Sequence, residues 1–66
     1  MKITLNGKEI NNNGFKNLKE LITSSFAKTE GIIVESNGTI IRKDRWHEHL
    51  LQENDKIEVI QFVGGG

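Results

Sequence analysis

The sequence predicts a two-layer α+β domain in which one main helix lies across a mixed sheet. Three observations lead there: short alternating apolar runs joined by two Asn-Gly turns, a single apolar helix face at Leu18, Leu21, Ile22 and Phe26, and a last strand-like run from Ile57 to Val63. A sheet and a helix each present one apolar surface, and each buries it most simply against the other.

In the opening run Ile3 and Leu5 alternate with Lys2 and Thr4, and Asn6-Gly7 separates it from Lys8-Glu9-Ile10. Asn-Gly between alternating runs is the strongest short-range hairpin signal, because both residues tolerate the positive φ of a tight turn. From Leu18 the apolar residues follow the i, i+3, i+4, i+8 spacing of one helical face, and Asn17 with Glu20 has the spacing of a capping box. Gly31 is expected to end that helix as a left-handed cap. Ile32-Ile33-Val34 is β-branched throughout and reads as a buried strand, with Asn37-Gly38 turning it into Thr39-Ile40-Ile41. Between Arg42 and Leu51, Trp46 and Leu50 stand at i, i+4, enough for one or two helical turns that tuck the indole against the sheet. Asn54-Asp55 then turns the chain into the last strand. The first and last strands are expected to be adjacent and parallel, with the helix as crossover.

A chain of 66 residues makes one domain with a small core, so a large internal substrate cavity is not expected. There is no cysteine, which excludes disulfides, thiolate nucleophiles and Cys-type metal sites. Nine basic and nine acidic residues are scattered without blocks, which argues against nucleic acid as a partner. Neither a signal peptide nor a membrane-spanning run is read behind Met1–Leu5, so a cytoplasmic protein with no membrane partner is expected.

Self-sufficient chemistry is hard to find. His47 and His49 are two apart and do not face one another on a helical turn, so they read as exposed surface histidines rather than chelators. Asn37-Gly38-Thr39 matches a glycosylation sequon but reads as a turn. Glu9, Glu35, Asp44 and Glu58 show no paired spacing that suggests an acid/base dyad, and no glycine loop for phosphate is present. No catalytic residue and no metal ligand is assigned.

What remains is Gly64-Gly65-Gly66. It places a carboxylate at Gly66 on a stalk, Gly64 and Gly65, thin enough to thread into a narrow active site of another protein. A carboxylate is a poor electrophile, so reaction at Gly66 first requires a mixed anhydride such as an acyl-adenylate, and the machinery for that is not encoded here. Period-two alternation puts Ile57 and Val59 on one face of the last strand and Ile60 and Phe62 on the other. Ile60, Phe62 and Val63, beside the tail, are therefore candidate contacts for a docking partner, with burial of Phe62 in the core as the competing reading.

Over essentially its whole length the chain resembles the β-grasp, ubiquitin-like sulfur carriers, and within them the ThiS carriers of thiamine biosynthesis. The residues that carry the resemblance are the short strand Met1–Leu5, Arg42 and Trp46 in Ile41-Arg42-Lys43-Asp44-Arg45-Trp46, the stretch Asn54-Asp55-Lys56-Ile57-Glu58-Val59, and the ending Phe62-Val63-Gly64-Gly65-Gly66. The family more often has Gly where Asn54 stands and Pro where Ile41 stands, and Asn can adopt the left-handed conformation that Gly would supply. The resemblance implies a β-grasp domain over 1–63 with a tail at 64–66, acting as a protein co-substrate rather than an enzyme. It implies that Gly66 is adenylated by a ThiF-like enzyme at the expense of ATP and becomes a thiocarboxylate, with sulfur from a donor such as a cysteine desulfurase. A ThiG-like thiazole synthase would then take the sulfur. No bound cofactor and a monomeric free state are expected. Two relatives of the same fold stay open as alternatives: a molybdopterin-type sulfur carrier, and a ubiquitin-like modifier whose activated Gly66 is attacked by a lysine. A β-grasp interaction domain with an inert tail stays open as a third.

Overall fold

The computed structural model of the chain describes residues 1–12 and 14–61. Along it run β1 (Lys2–Leu5), β2 (Lys8–Asn11), α1 (Leu18–Ser25), β3 (Ile32–Ser36), β4 (Thr39–Ile41), a 3₁₀ helix (Lys43–Glu48) and β5 (Lys56–Gln61). The strands form one sheet in the order β2-β1-β5-β3-β4. β1 and β5 are parallel, while β2 on β1, β3 on β5 and β4 on β3 are antiparallel. The expected neighbour relation of first and last strands is therefore present, and β5 is central.

Both Asn-Gly pairs make the turns read from the sequence. Asn6 and Gly7 have φ of 51° and 79°, and Asn37 and Gly38 have 53° and 86°, the doubly positive pattern that suits the twist of a two-residue hairpin. α1 begins as expected, with the Asn17 side chain accepting the Glu20 N–H at 2.9 Å. The reciprocal bond differs by one residue: Glu20 accepts from the Lys16 N–H at 2.8 Å, not from Asn17.

The end of α1 corrects the sequence reading. Gly31 does adopt a left-handed φ of 75°, but it stands in the turn into β3, whereas the helix stops at Ser25. Phe26 is already extended, and its N–H closes the helix on the Ile22 carbonyl at 3.0 Å. Thr23-Ser24-Ser25 are weak helix formers, and the Thr23 hydroxyl bonds back to the Lys19 carbonyl at 2.8 Å. No apolar residue follows at helical spacing between Phe26 and Gly31, so nothing would reward continuing the helix.

The core is a single cluster of Ile3, Leu18, Leu21, Ile22, Val34, Trp46, Leu51, Ile57 and Val59, with Phe26 packed against its edge. α1 and the 3₁₀ helix thus cover one face of the sheet. Trp46 is buried as expected, and its indole N–H donates to the Ile41 carbonyl at 2.9 Å, satisfying the polar end of the ring. Leu50 does not accompany it: Leu50 is 67% exposed and Leu51 6%. The 3₁₀ helix ends at Glu48, and the following segment runs extended beside the start of α1 through Leu18 N–H to His49 carbonyl at 2.9 Å and Leu51 N–H to Lys16 carbonyl at 3.0 Å. Adjacent side chains in extended backbone point opposite ways, so Leu51 turns in and Leu50 out.

Candidate functional site

The two ends of β5 are built differently. At the Lys56 end the buried Asp55 carboxylate accepts the Asn37 side-chain N–H at 2.9 Å and the Gln52 backbone N–H at 2.8 Å. Asn37 in turn accepts the Lys56 N–H at 2.9 Å on its side-chain oxygen and donates its own backbone N–H to the Lys56 carbonyl at 2.8 Å. One acidic residue therefore ties the β3–β4 turn, the 52–55 loop and the start of β5 together. Asn54 supplies the left-handed residue of this turn, with φ 68°. On the β1 side, Asn6 donates its N–H to the Ile57 carbonyl at 2.9 Å and accepts the Val59 N–H on its side-chain oxygen at 2.7 Å. That side chain continues the ladder for one step after β1 has ended.

A cleft of about 290 Å³ opens at this end, lined by Ser36, Asn37, Thr39, Ile41, His49, Leu50, Gln52 and Asp55. His49 corrects the reading of an exposed surface histidine: it is half-buried, and its Nε2 lies 3.1 Å from the Ser36 hydroxyl. His47 is exposed as expected. The Asp55 oxygens are already committed to Asn37 and Gln52, so they do not form a triad with His49 and Ser36.

Among the described residues, β5 is held on one side only at its Gln61 end. Ile33 pairs with Ile60 and Ile32 with Gln61, but in the other direction the register with β1 stops at Leu5 and Ile57. Ile57 and Val59 are buried while Ile60 is 45% exposed, so the period-two reading places Ile60 on the open face as expected. Ile40, 60% exposed, shares this face across β3, where Glu35 stands between Ile40 on one side and Glu58 on the other. Of the residues singled out from the sequence, Phe62, Val63, Gly64, Gly65 and Gly66 lie outside the described residues, as does the boundary drawn at residue 63.

Among the described residues no three His, Cys, Asp or Glu side chains come together as a metal site, and no helix is long and apolar enough to cross a membrane. The perturbed ionisations lie away from β5. On the exposed 3₁₀ helix, a hydrogen bond from the Arg45 guanidinium holds the Glu48 carboxyl below its usual range, and the same bond raises Arg45.

A sequence model described as the ThiS family matches residues 2–66. The chain belongs to the ThiS family. It is 38% identical over 65 residues to the sulfur carrier protein ThiS of Bacillus subtilis, covering 97% of this chain and 98% of that one. The crystal structure of the thiamine biosynthesis protein ThiS from Geobacter metallireducens superposes with a TM-score of 0.83 at 30% identity, covering all of both chains. The fold is accordingly the β-grasp of that family, a mixed sheet packed on one main helix. A thiazole synthase of Magnetococcus marinus is 36% identical over 66 residues; the match takes in this whole chain but only 20% of the synthase.

Proposed function

We propose that this chain carries sulfur as a thiocarboxylate on Gly66 for assembly of the thiazole of thiamine. Membership of the ThiS family through residue 66 is the observation that carries the reading. The fold supports it: β5, pinned at Lys56, delivers the chain past Gln61 towards the glycine stalk at Gly64 and Gly65, while the core stays behind. The protein acts as a co-substrate and not as a catalyst. A separate ATP-dependent enzyme of the ThiF kind joins the Gly66 carboxylate to AMP and releases pyrophosphate. A persulfide fed from cysteine by a desulfurase then displaces AMP to give an acyl disulfide, which a thiol reductant cleaves, leaving the thiocarboxylate and taking the other sulfur away as a disulfide. The carrier is taken to work in the cytoplasm. The chain itself brings no bound cofactor; its cargo is the sulfur atom.

The acceptor is a thiazole synthase of the ThiG kind. A thiazole synthase that contains a segment similar to this entire chain supports that pairing, because one polypeptide then holds carrier-like and synthase sequence together. Ile60, Phe62 and Val63 belong to the surface that meets the partners, and Phe62→Ala is expected to weaken capture roughly thirtyfold while leaving the monomer folded.

The decisive experiment is mass spectrometry of the intact chain after incubation with a ThiF-type enzyme, ATP, cysteine, a desulfurase and a thiol reductant. The expected result is a gain equal to replacing one oxygen by sulfur, mapped to Gly66. A chain adenylated but joined to lysine instead would make it a protein modifier, and a chain left unmodified would remove the sulfur-carrier reading.

A further inference from the structure

The open face of the sheet carries a charge arrangement that the fold does not use. Glu35 and Glu58 are directly opposite each other in the β3–β5 register, and like charges in that position oppose pairing. Among the described residues neither carboxylate is in an ion pair, whereas Lys2 and Glu9, also on this face, pair at 3.7 Å. Lys56 shares the face without closing on either carboxylate. Around the acidic pair stand Ile33 and Ile60 towards the tail and Ile40 on the far side. The arrangement is an apolar rim around two uncompensated carboxylates.

Covalent geometry says that an enzyme which takes up Gly66 meets it, and the thiazole synthase that contains a segment similar to this chain points to which enzyme that is. Gly66 is the fifth residue after Gln61, and five fully extended residues span at most about 17 Å. An active site that receives Gly66 therefore brings the body of its enzyme against the surface next to the end of β5. One face there is filled by α1 and the 3₁₀ helix, and the other is this one.

We propose that Ile33, Ile40 and Ile60 form the apolar floor on which a thiazole synthase docks, and that Glu35 and Glu58 together receive a cationic side chain of that enzyme. The proposal rests on the sulfur-carrier reading and deepens it by assigning residues that set partner affinity. A cation between the two carboxylates removes their mutual repulsion only in the complex, so the free chain bears a cost that binding relieves.

The test is calorimetric titration of the thiazole synthase from the same organism with wild type, the double variant Glu35→Gln/Glu58→Gln, and Ile60→Ser, at low and high salt, alongside urea unfolding of each. The double variant is expected to fold at least as stably as wild type yet bind about tenfold more weakly at low salt, a gap that closes as salt rises. Ile60→Ser is expected to stay folded and lose affinity at both salt concentrations. Equal binding by the double variant at low salt, or lower stability, overturns the role of the acidic pair. Self-association of wild type abolished by Ile60→Ser assigns the face to a second copy and also overturns the proposal. Wild type that gains sulfur in the mass assay but does not bind the synthase sinks this docking assignment alone, whereas failure to gain sulfur sinks the reading beneath it.

Discussion

β5 begins in a knot and ends in the open. At Lys56 its backbone is bonded on both sides, by Asn37 and the Asp55 network towards β3 and by Thr4 and Asn6 towards β1. At Gln61 only β3, among the described residues, remains beside it, and the apolar side chain of Ile60 is half exposed. On the proposed function the contrast separates stability from function along one strand: contacts that hold the fold gather where the strand starts, and the groups that other proteins would reach follow where it leaves. A carrier whose chemistry is done by other enzymes needs this polarity, because a terminus bound tightly to its own domain would not enter another active site.

The sharpest way to break the comparison is at the extreme of the exit. Deleting Gly65 and Gly66 is expected to abolish sulfur loading altogether, while the loss of stability stays below about 1 kcal/mol, since the tail offers no side chain to bury. Intact-mass analysis reads the first effect and urea denaturation the second. A markedly lowered unfolding midpoint would mean that the two ends are not separate in function.

The next largest effect belongs to the pinned end and has the opposite character. Asp55→Ala leaves the Gln52 N–H and the Asn37 amide without their acceptor in a partly buried site, and is expected to cost about 2–3 kcal/mol. For a domain this small that is a large share of total stability. Molecules that remain folded should still accept sulfur at the wild-type extent. Normal unfolding with lost loading would reverse the roles assigned to the two ends.

How much of this was legible in the sequence depends on the range of the interaction concerned. Period-two alternation put Ile57 and Val59 on one face and Ile60 on the other, and both Asn-Gly turns formed where they were expected, because each of those readings needs only neighbouring residues. The Asp55 network was not legible: Asn37 and Asp55 are 18 residues apart, and nothing in a single sequence says that a turn asparagine will face a distant carboxylate. The same holds for His49, whose partner Ser36 comes from another strand. Two local readings also failed. The i, i+4 spacing of Trp46 and Leu50 presumed helix to Leu50, but pairing with the start of α1 imposes extended backbone there and brings Leu51 inside instead. Gly31 marked a turn correctly and a helix end wrongly, because the helix loses its reward for continuing at Phe26.

Asn6 offers a finer test of how the pinned end is built. Asn6→Gly keeps the positive φ that the turn requires and removes only the acceptor for the Val59 N–H, so the expected cost is about 1 kcal/mol. Hydrogen exchange should accelerate at the Val59 amide more than at the buried Ile57 amide. Unchanged protection of Val59 would show that water replaces the side chain at no cost and that the ladder effectively ends with β1.

The smallest effect is expected on the 3₁₀ helix, which belongs to neither end. The bond from Arg45 lowers the folded-state pKa of Glu48 below its unfolded value, so its contribution is fully present above the unfolded pKa, hence at neutral pH, and is lost as pH falls through the lowered folded value. The pair is fully exposed, and salt and competing water keep that contribution slight. Glu48→Gln should therefore leave sulfur loading and synthase binding unchanged, and any small stability gap at neutral pH should vanish in acid. Urea unfolding at a series of pH values checks the sign. A gap that widens as the pH falls would require Glu48 to stabilise the fold in its protonated form, contrary to the direction in which Arg45 shifts it.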